Sequence, residues 1–203
     1  MNITDPKRIF RLGCRWAVLA LLIFGQSLRA QELESHVLFI FDTSSDMKNR
    51  VKAEQFEINQ LLATGMNGQL HDGDSIGVWT FDQTLHAGQF RLVSWAPESA
   101  RDIANNINKF LGSQHFSGNT SFAALQPLLG RVMQSSPRLT LIIFCDGEDT
   151  IKWTPYNDGV NQLFQERKTA QTRAKQPFIL LLRSQNLPYR QAKVTQISIL
   201  TVS

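Results

Sequence analysis

An α/β fold, a three-layer α/β/α sandwich around a mostly parallel sheet of about six strands with one antiparallel edge strand, is what this 203-residue chain predicts, and three observations carry it. Apolar runs of strand length recur at 36–41, 76–81, 139–145 and 177–183, with a last, alternating run at 194–202. Segments of helix length separate most of them, and continuous apolar strands spaced by helices belong to a sheet covered on both faces. Two of the runs end on an aspartate, Asp42 and Asp146. In an open α/β sheet the loops at the carboxyl ends of the strands part into a ligand crevice where neighbouring connections leave on opposite faces.

The elements follow in order. Lys7, Arg8, Arg11 and Arg15 precede the apolar stretch Trp16–Gly25, and Ser27–Ala30 offers a cleavage site before Gln31, so residues 1–30 read as a secretory signal peptide. The apolar core is shorter than the roughly 20 residues a membrane span needs. Residues 31–203 then form one domain, expected in the periplasm or outside the cell, without a transmembrane segment. Five of the 21 basic residues and one of the 17 acidic residues lie in the leader, so 16 of each remain and the exported chain is formally neutral. That balance gives no support for a nucleic-acid partner. Of the two cysteines only Cys145 lies beyond the leader, so no intrachain disulfide can form in the exported chain and the core must hold the fold.

After the first strand, Met47–Ala63 carries apolar residues at Met47, Val51, Phe56, Ile58, Leu61 and Leu62 and reads as a helix ending near Gly65. The turn His71–Asp74 introduces the second strand, and Phe90–Val93 reads as the short antiparallel edge. Pro97 opens a helix running to Leu111, with Ile103, Ile107, Phe110 and Leu111 on one side. Phe122–Met133 reads as a helix stopped by Pro137, and Val160–Lys175 as a polar one.

The loops at one edge of this sheet collect Asp42, Ser44 and Asp46 from the first, Gly118-Asn119-Thr120 from the second and Asp146-Gly147-Glu148 from the third. Singly, Ser44, Asp46 or Thr120 would serve as a helix N-cap and Asp146-Gly147 as a turn. Jointly, carboxylates and hydroxyls are hard oxygen ligands, suited to Mg2+, Mn2+ or Ca2+. The four histidines show no ligand-pair spacing. His115, Phe116, Trp153 and Tyr156 flank the loops and are candidates for a contact rim, and Glu148 and Asp149 for groups that orient the ligands.

This set resembles the von Willebrand factor A (vWA) domain family and its metal-ion-dependent adhesion site (MIDAS), whose pattern is Asp-x-Ser-x-Ser, a loop threonine after a glycine, and an Asp-Gly after a buried strand. Here the positions read Asp42-x-Ser44-x-Asp46, Thr120 and Asp146-Gly147, and Gly73–Phe81 is similar to the family's second strand. The resemblance implies an exported, non-enzymatic module that binds a partner protein for adhesion or assembly. A divalent cation, Mg2+ first and Ca2+ or Mn2+ next, would be held by Asp42, Ser44, Asp46, Thr120 and Asp146 and completed by an Asp or Glu of the partner. Asp46 replaces the usual serine; three direct carboxylates would bring the site's formal charge to −1 and weaken its pull on an acidic partner. Two alternatives stand beside this. One is a vWA-like scaffold whose site no longer takes metal. The other is a phosphatase of the haloacid dehalogenase type, which needs a second aspartate where this chain has Ser44.

Overall fold

The computed structural model describes residues 35–136, 138–186 and 192–200, and for the last stretch from Ser184 onward the backbone alone. The leader 1–30 lies outside the described residues. The chain from Glu34 to Ser203 is one compact unit.

Its strands are β1 (His36–Asp42), β2 (Ser75–Phe81), β3 (Leu85–His86), β4 (Val93–Ser94), β5 (Arg138–Cys145), β6 (Phe178–Asn186) and β7 (Ala192–Leu200). The long helices are α1 (Val51–Ala63), α2 (Ala100–Gly112), α3 (Gln126–Ser135) and α4 (Asn157–Ala174). A short 3-10 turn, Ser45–Asn49, leads into α1, so the helix read from Met47 begins one turn later. Another, Phe122–Ala124, leads into α3, whose Pro127 sits in its first turn, where a missing N–H costs no helical hydrogen bond.

The sheet runs in the order β3-β2-β1-β5-β6-β7, with β4 also pairing with β2. Successive side chains of a strand point to opposite faces, and β1 divides accordingly. Val37, Phe39 and Phe41 pack with Ile58 and Leu62 of α1 and Ile103 and Ile107 of α2. Leu38 and Ile40 pack with Leu129 of α3 and Val160 and Phe164 of α4. Helices therefore cover both faces, and the three-layer α/β/α sandwich expected from the apolar runs is the fold.

The directions of the strands refine that picture. β1 is parallel to β2 and β5, while β3 and β4 run antiparallel to β2 at the edge. The edge read at Phe90–Val93 is thus two dipeptide strands, Leu85–His86 and Val93–Ser94. β6 also runs antiparallel, to β5 on one side and β7 on the other, so β7 shares the direction of β1 and four of the seven strands point one way. The expectation of a single antiparallel strand is corrected here, and α4 is the reason. A strand–helix–strand segment usually returns to the far edge and pairs in parallel. α4 instead ends, through Lys175 in the left-handed conformation, beside the edge β5 has just left: Cys145 pairs with Phe178, and Lys168 of α4 pairs with Glu148.

Candidate metal centre

β1 and β5 are neighbours, and their chains leave the sheet on opposite faces, β1 toward α1 and β5 toward α4. The carboxyl ends of these two strands are therefore a topological switch point, and Asp42 and Asp146 stand at it. Asp42 is fully buried and Asp146 nearly so, as is Ser44 between them.

Each carboxylate has one oxygen fixed by its own loop. Ser44 N–H donates to Asp42 Oδ1 at 2.8 Å, and Glu148 N–H donates to Asp146 Oδ1 at 2.8 Å. Their other oxygens face a shared hydroxyl. Thr120 Oγ1 lies 2.5 Å from Asp42 Oδ2 and 2.9 Å from Asp146 Oδ2, and Ser44 Oγ lies 3.2 Å from the same Asp146 oxygen.

Positive charge is short at this point. A threonine hydroxyl carries one hydrogen, so it donates to one of the two carboxylates and presents a lone pair to the other. Two buried carboxylates this close disfavour joint ionisation. Burial first, and the charge of Asp146 second, push the Asp42 carboxyl up to about 6, against the opposing pull of hydrogen bonds from Thr120 and Ser44. A proton on Asp42 relieves the deficit, and so does a cation among these four side chains. Two carboxylates and two hydroxyls, all oxygen and all converging, form a donor set that fits a hard divalent ion.

Of the five residues expected to hold a metal, Asp42, Ser44, Thr120 and Asp146 come together. Asp46 does not: it is exposed in the Ser45–Asn49 turn, and no hydrogen bond among the described residues links it to the other four. No three His, Cys, Asp or Glu side chains among the described residues cluster to hold a metal, so an ion here relies on two carboxylates plus hydroxyls. With Asp46 outside, the formal charge of the set is −2 and a divalent ion brings it to zero.

The loops are pinned from behind. Ser45 N–H donates to the Gly118 carbonyl and Ser117 N–H to that of Thr43, tying the first loop to the second. Asp149 Oδ2 accepts from Phe122 N–H at 2.7 Å, which ties the third loop to the start of the segment after Thr120. Glu148 points instead to Lys168. Gly147 has φ +76°, and a Cβ there would stand 2.6 Å from the Phe178 ring, so glycine alone lets Asp146 turn into its loop. Of the rim candidates, His115 and Tyr156 are exposed, whereas Phe116 and Trp153 are half-buried against the core.

Two residues behind the site escaped the sequence reading. Arg50, almost fully buried, donates to the carbonyl oxygens of Asp146 and Gln176 and to Thr172 Oγ1, joining the β5 loop to the end of α4. Glu54, fully buried one turn later, has no hydrogen-bond partner among the described residues on either carboxyl oxygen. Burial above all, and then the charge of Asp42, push its carboxyl well above the usual range, with Arg50 acting in the opposite sense. The signal was present: Glu54, Ile58 and Leu62 form one stripe at four-residue spacing, and Glu54 lies on the buried face of α1. Phe56, read as part of that face, is more than half exposed.

No family model matches the chain, and no curated protein does. Among solved structures it is similar to an aerotolerance-related membrane protein from Bacteroides fragilis, with 13% identity, 82% of this chain and 81% of the other covered, and a TM-score of 0.41. No helix among the described residues is long and apolar enough to cross a membrane.

Proposed function

We propose that this chain is an exported, non-enzymatic vWA-type module that binds a partner protein through a divalent cation at the carboxyl ends of β1 and β5. Asp42, Ser44, Thr120 and Asp146 would hold the ion, Mg2+ in the first instance, with Ca2+ or Mn2+ as substitutes. When bound, the ion supplies a positive centre with an open position for a partner's Asp or Glu. Asp46, exposed on the first loop, acts at the rim, on the water or partner side of the ion.

One observation carries this reading: two buried carboxylates face each other across the neutral hydroxyls of Thr120 and Ser44, and no ion pair among the described residues involves either. Buried charges that serve stability alone are normally paired with an opposite charge. This pair has no such partner among the described residues, and its supports hold it in place: Ser44 and Glu148 amides, the Asp149 tether and Gly147.

A second reading draws on the same contacts. With Asp42 protonated, Thr120 and Ser44 close the site by hydrogen bonds alone, and the domain then works as a metal-free scaffold. Melting curves of the full-length chain in EDTA, Mg2+, Ca2+ and Mn2+ at pH 7 separate the two. The metal reading expects at least one ion to raise the melting temperature of the wild type and not of Asp42→Ala. No metal-dependent shift in either protein leaves the scaffold.

A further inference from the structure

Beside the metal edge lies a groove of about 830 Å³ between the start of α1, the end of α2 and the end of α4. Lys48, Lys52 and Lys175 line it, together with Gln114, Phe116 and Gln176, and no Asp or Glu does. All three lysines are exposed, and none forms an ion pair among the described residues. The acidic neighbour of Asp146, Glu148, is already paired with Lys168.

The position of Lys48 and Lys52 is unusual in a physical sense. They stand just before and within the first turn of the 13-residue α1, where the helix dipole is positive and acidic side chains are the stabilising choice. Helix and lysines therefore add their positive potential at one spot. Lys175 faces them at the end of α4, in a left-handed conformation (φ 55°) that glycine adopts at lower cost.

The groove shares its walls with the metal edge. Lys48 lies on the turn that follows Ser44, and Phe116 precedes Ser117, whose N–H donates to the Thr43 carbonyl. Gln176 gives its carbonyl to Arg50, which also reaches the carbonyl of Asp146. A chain with one side chain at the carboxyl ends of β1 and β5 continues naturally across these lysines.

We infer that the groove receives an acidic, extended segment of the partner protein, with two or more carboxylates beside the one directed at the metal. This rests on the reading of the β1–β5 edge as the partner-binding edge and adds the partner's charge to it. Glutamine side chains and Phe116 give the segment's backbone and stems polar and apolar contacts, while the lysines supply the charge match that selects it.

The test uses the full-length chain and a fluorescein-labelled oligoglutamate peptide, with oligoglutamine as control, read by anisotropy in Mg2+ and in EDTA. A triple variant, Lys48→Gln, Lys52→Gln and Lys175→Gly, removes the charge at exposed positions, and its melting curve reports that the fold is intact. The expected result is a loss of oligoglutamate affinity on the order of ten-fold or more in the variant, and a fall in wild-type affinity as salt rises. Equal affinity in wild type and variant overturns the inference. So does lysine-dependent capture of phosphatidylserine vesicles without binding of the peptide, which would assign the groove to a membrane surface. A lysine effect without a metal effect upholds the groove and removes the metal reading; a metal effect without a lysine effect does the reverse.

Discussion

Asp74 and Asp42 lie at opposite edges of the same sheet, both buried, and they are used differently. Asp74 precedes β2 at the amino-terminal edge. Its Oδ1 accepts from Ser35 N–H at 2.9 Å and its Oδ2 from His71 N–H at 2.8 Å, with the His71 ring 3.7 Å away. Its own backbone accepts from Trp95 N–H. That carboxylate is saturated, and what it does is close the turn from His71 and fix the start of β1 against β2. Asp42, at the carboxyl edge, has one oxygen satisfied by a backbone amide and the other against the Thr120 hydroxyl, which also lies 2.9 Å from the Asp146 carboxylate. The contrast teaches that burial of a carboxylate says little by itself. What separates the two is the neighbour: Asp74 closes a turn with two backbone amides, whereas Asp42 faces a second buried carboxylate across neutral hydroxyls.

The largest expected effect attacks the loop that delivers Asp146. Gly147→Ala introduces a Cβ in contact with the Phe178 ring at a left-handed position, and should destabilise the fold by roughly 2–4 kcal/mol, measured by urea unfolding. A cost below about 1 kcal/mol would mean the loop yields, and the carboxylate pair is not rigidly held. Next in size is metal stabilisation itself. At about a hundred-fold excess over its dissociation constant an ion adds about 2.7 kcal/mol, a rise in melting temperature of about 5–10 °C for a domain of this size. Asp146→Asn should lose that increment.

Asp74→Ala breaks the other side of the comparison. Two buried amides lose their acceptor, and the expected loss is about 2 kcal/mol, equal in EDTA and in Mg2+. A metal-dependent difference in this variant would show the two edges to be coupled.

How far the sequence disclosed these edges differs by kind of information. The layers were legible because apolar runs and helix spacing are local signals, and β1 does send alternate residues to the two helical layers. Asp42, Ser44, Thr120 and Asp146 were legible because each ends a strand or sits in a loop with a recognisable spacing. The direction of β6 was not, since it depends on where α4 ends in space, which no local pattern encodes. Asp46 illustrates the same limit. Its spacing fits the motif, but the Ser45–Asn49 turn leaves it exposed, and Ser45 N–H at the head of that turn is held by the carbonyl of Gly118, far along the chain. Arg50 and Glu54 were hidden because charged residues in a helix are normally read as solvent-facing.

Glu54 gives the smallest and most distinctive expectation. Its carboxyl is raised above the ordinary 4.5, so the unfolded chain releases that proton at lower pH than the folded one. Its contribution is neutral below about 4.5 and becomes destabilising as pH climbs through that value toward the folded pKa. Glu54→Gln should therefore match the wild type in acid and exceed it by about 1 kcal/mol at neutral pH, read from urea unfolding at a series of pH values. An equal or lower stability at neutral pH would indicate that Arg50 satisfies the ionised carboxylate.

A titration of the full-length protein with Mn2+ at pH 7, followed by electron paramagnetic resonance of the free ion, addresses the contrast between the two edges without intermediaries. One ion should be taken up per chain by the wild type and by Asp74→Asn, and none by Asp42→Asn or Asp146→Asn. Uptake that survives both substitutions at the carboxyl edge, or no uptake by the wild type, would contradict a cation site at the ends of β1 and β5.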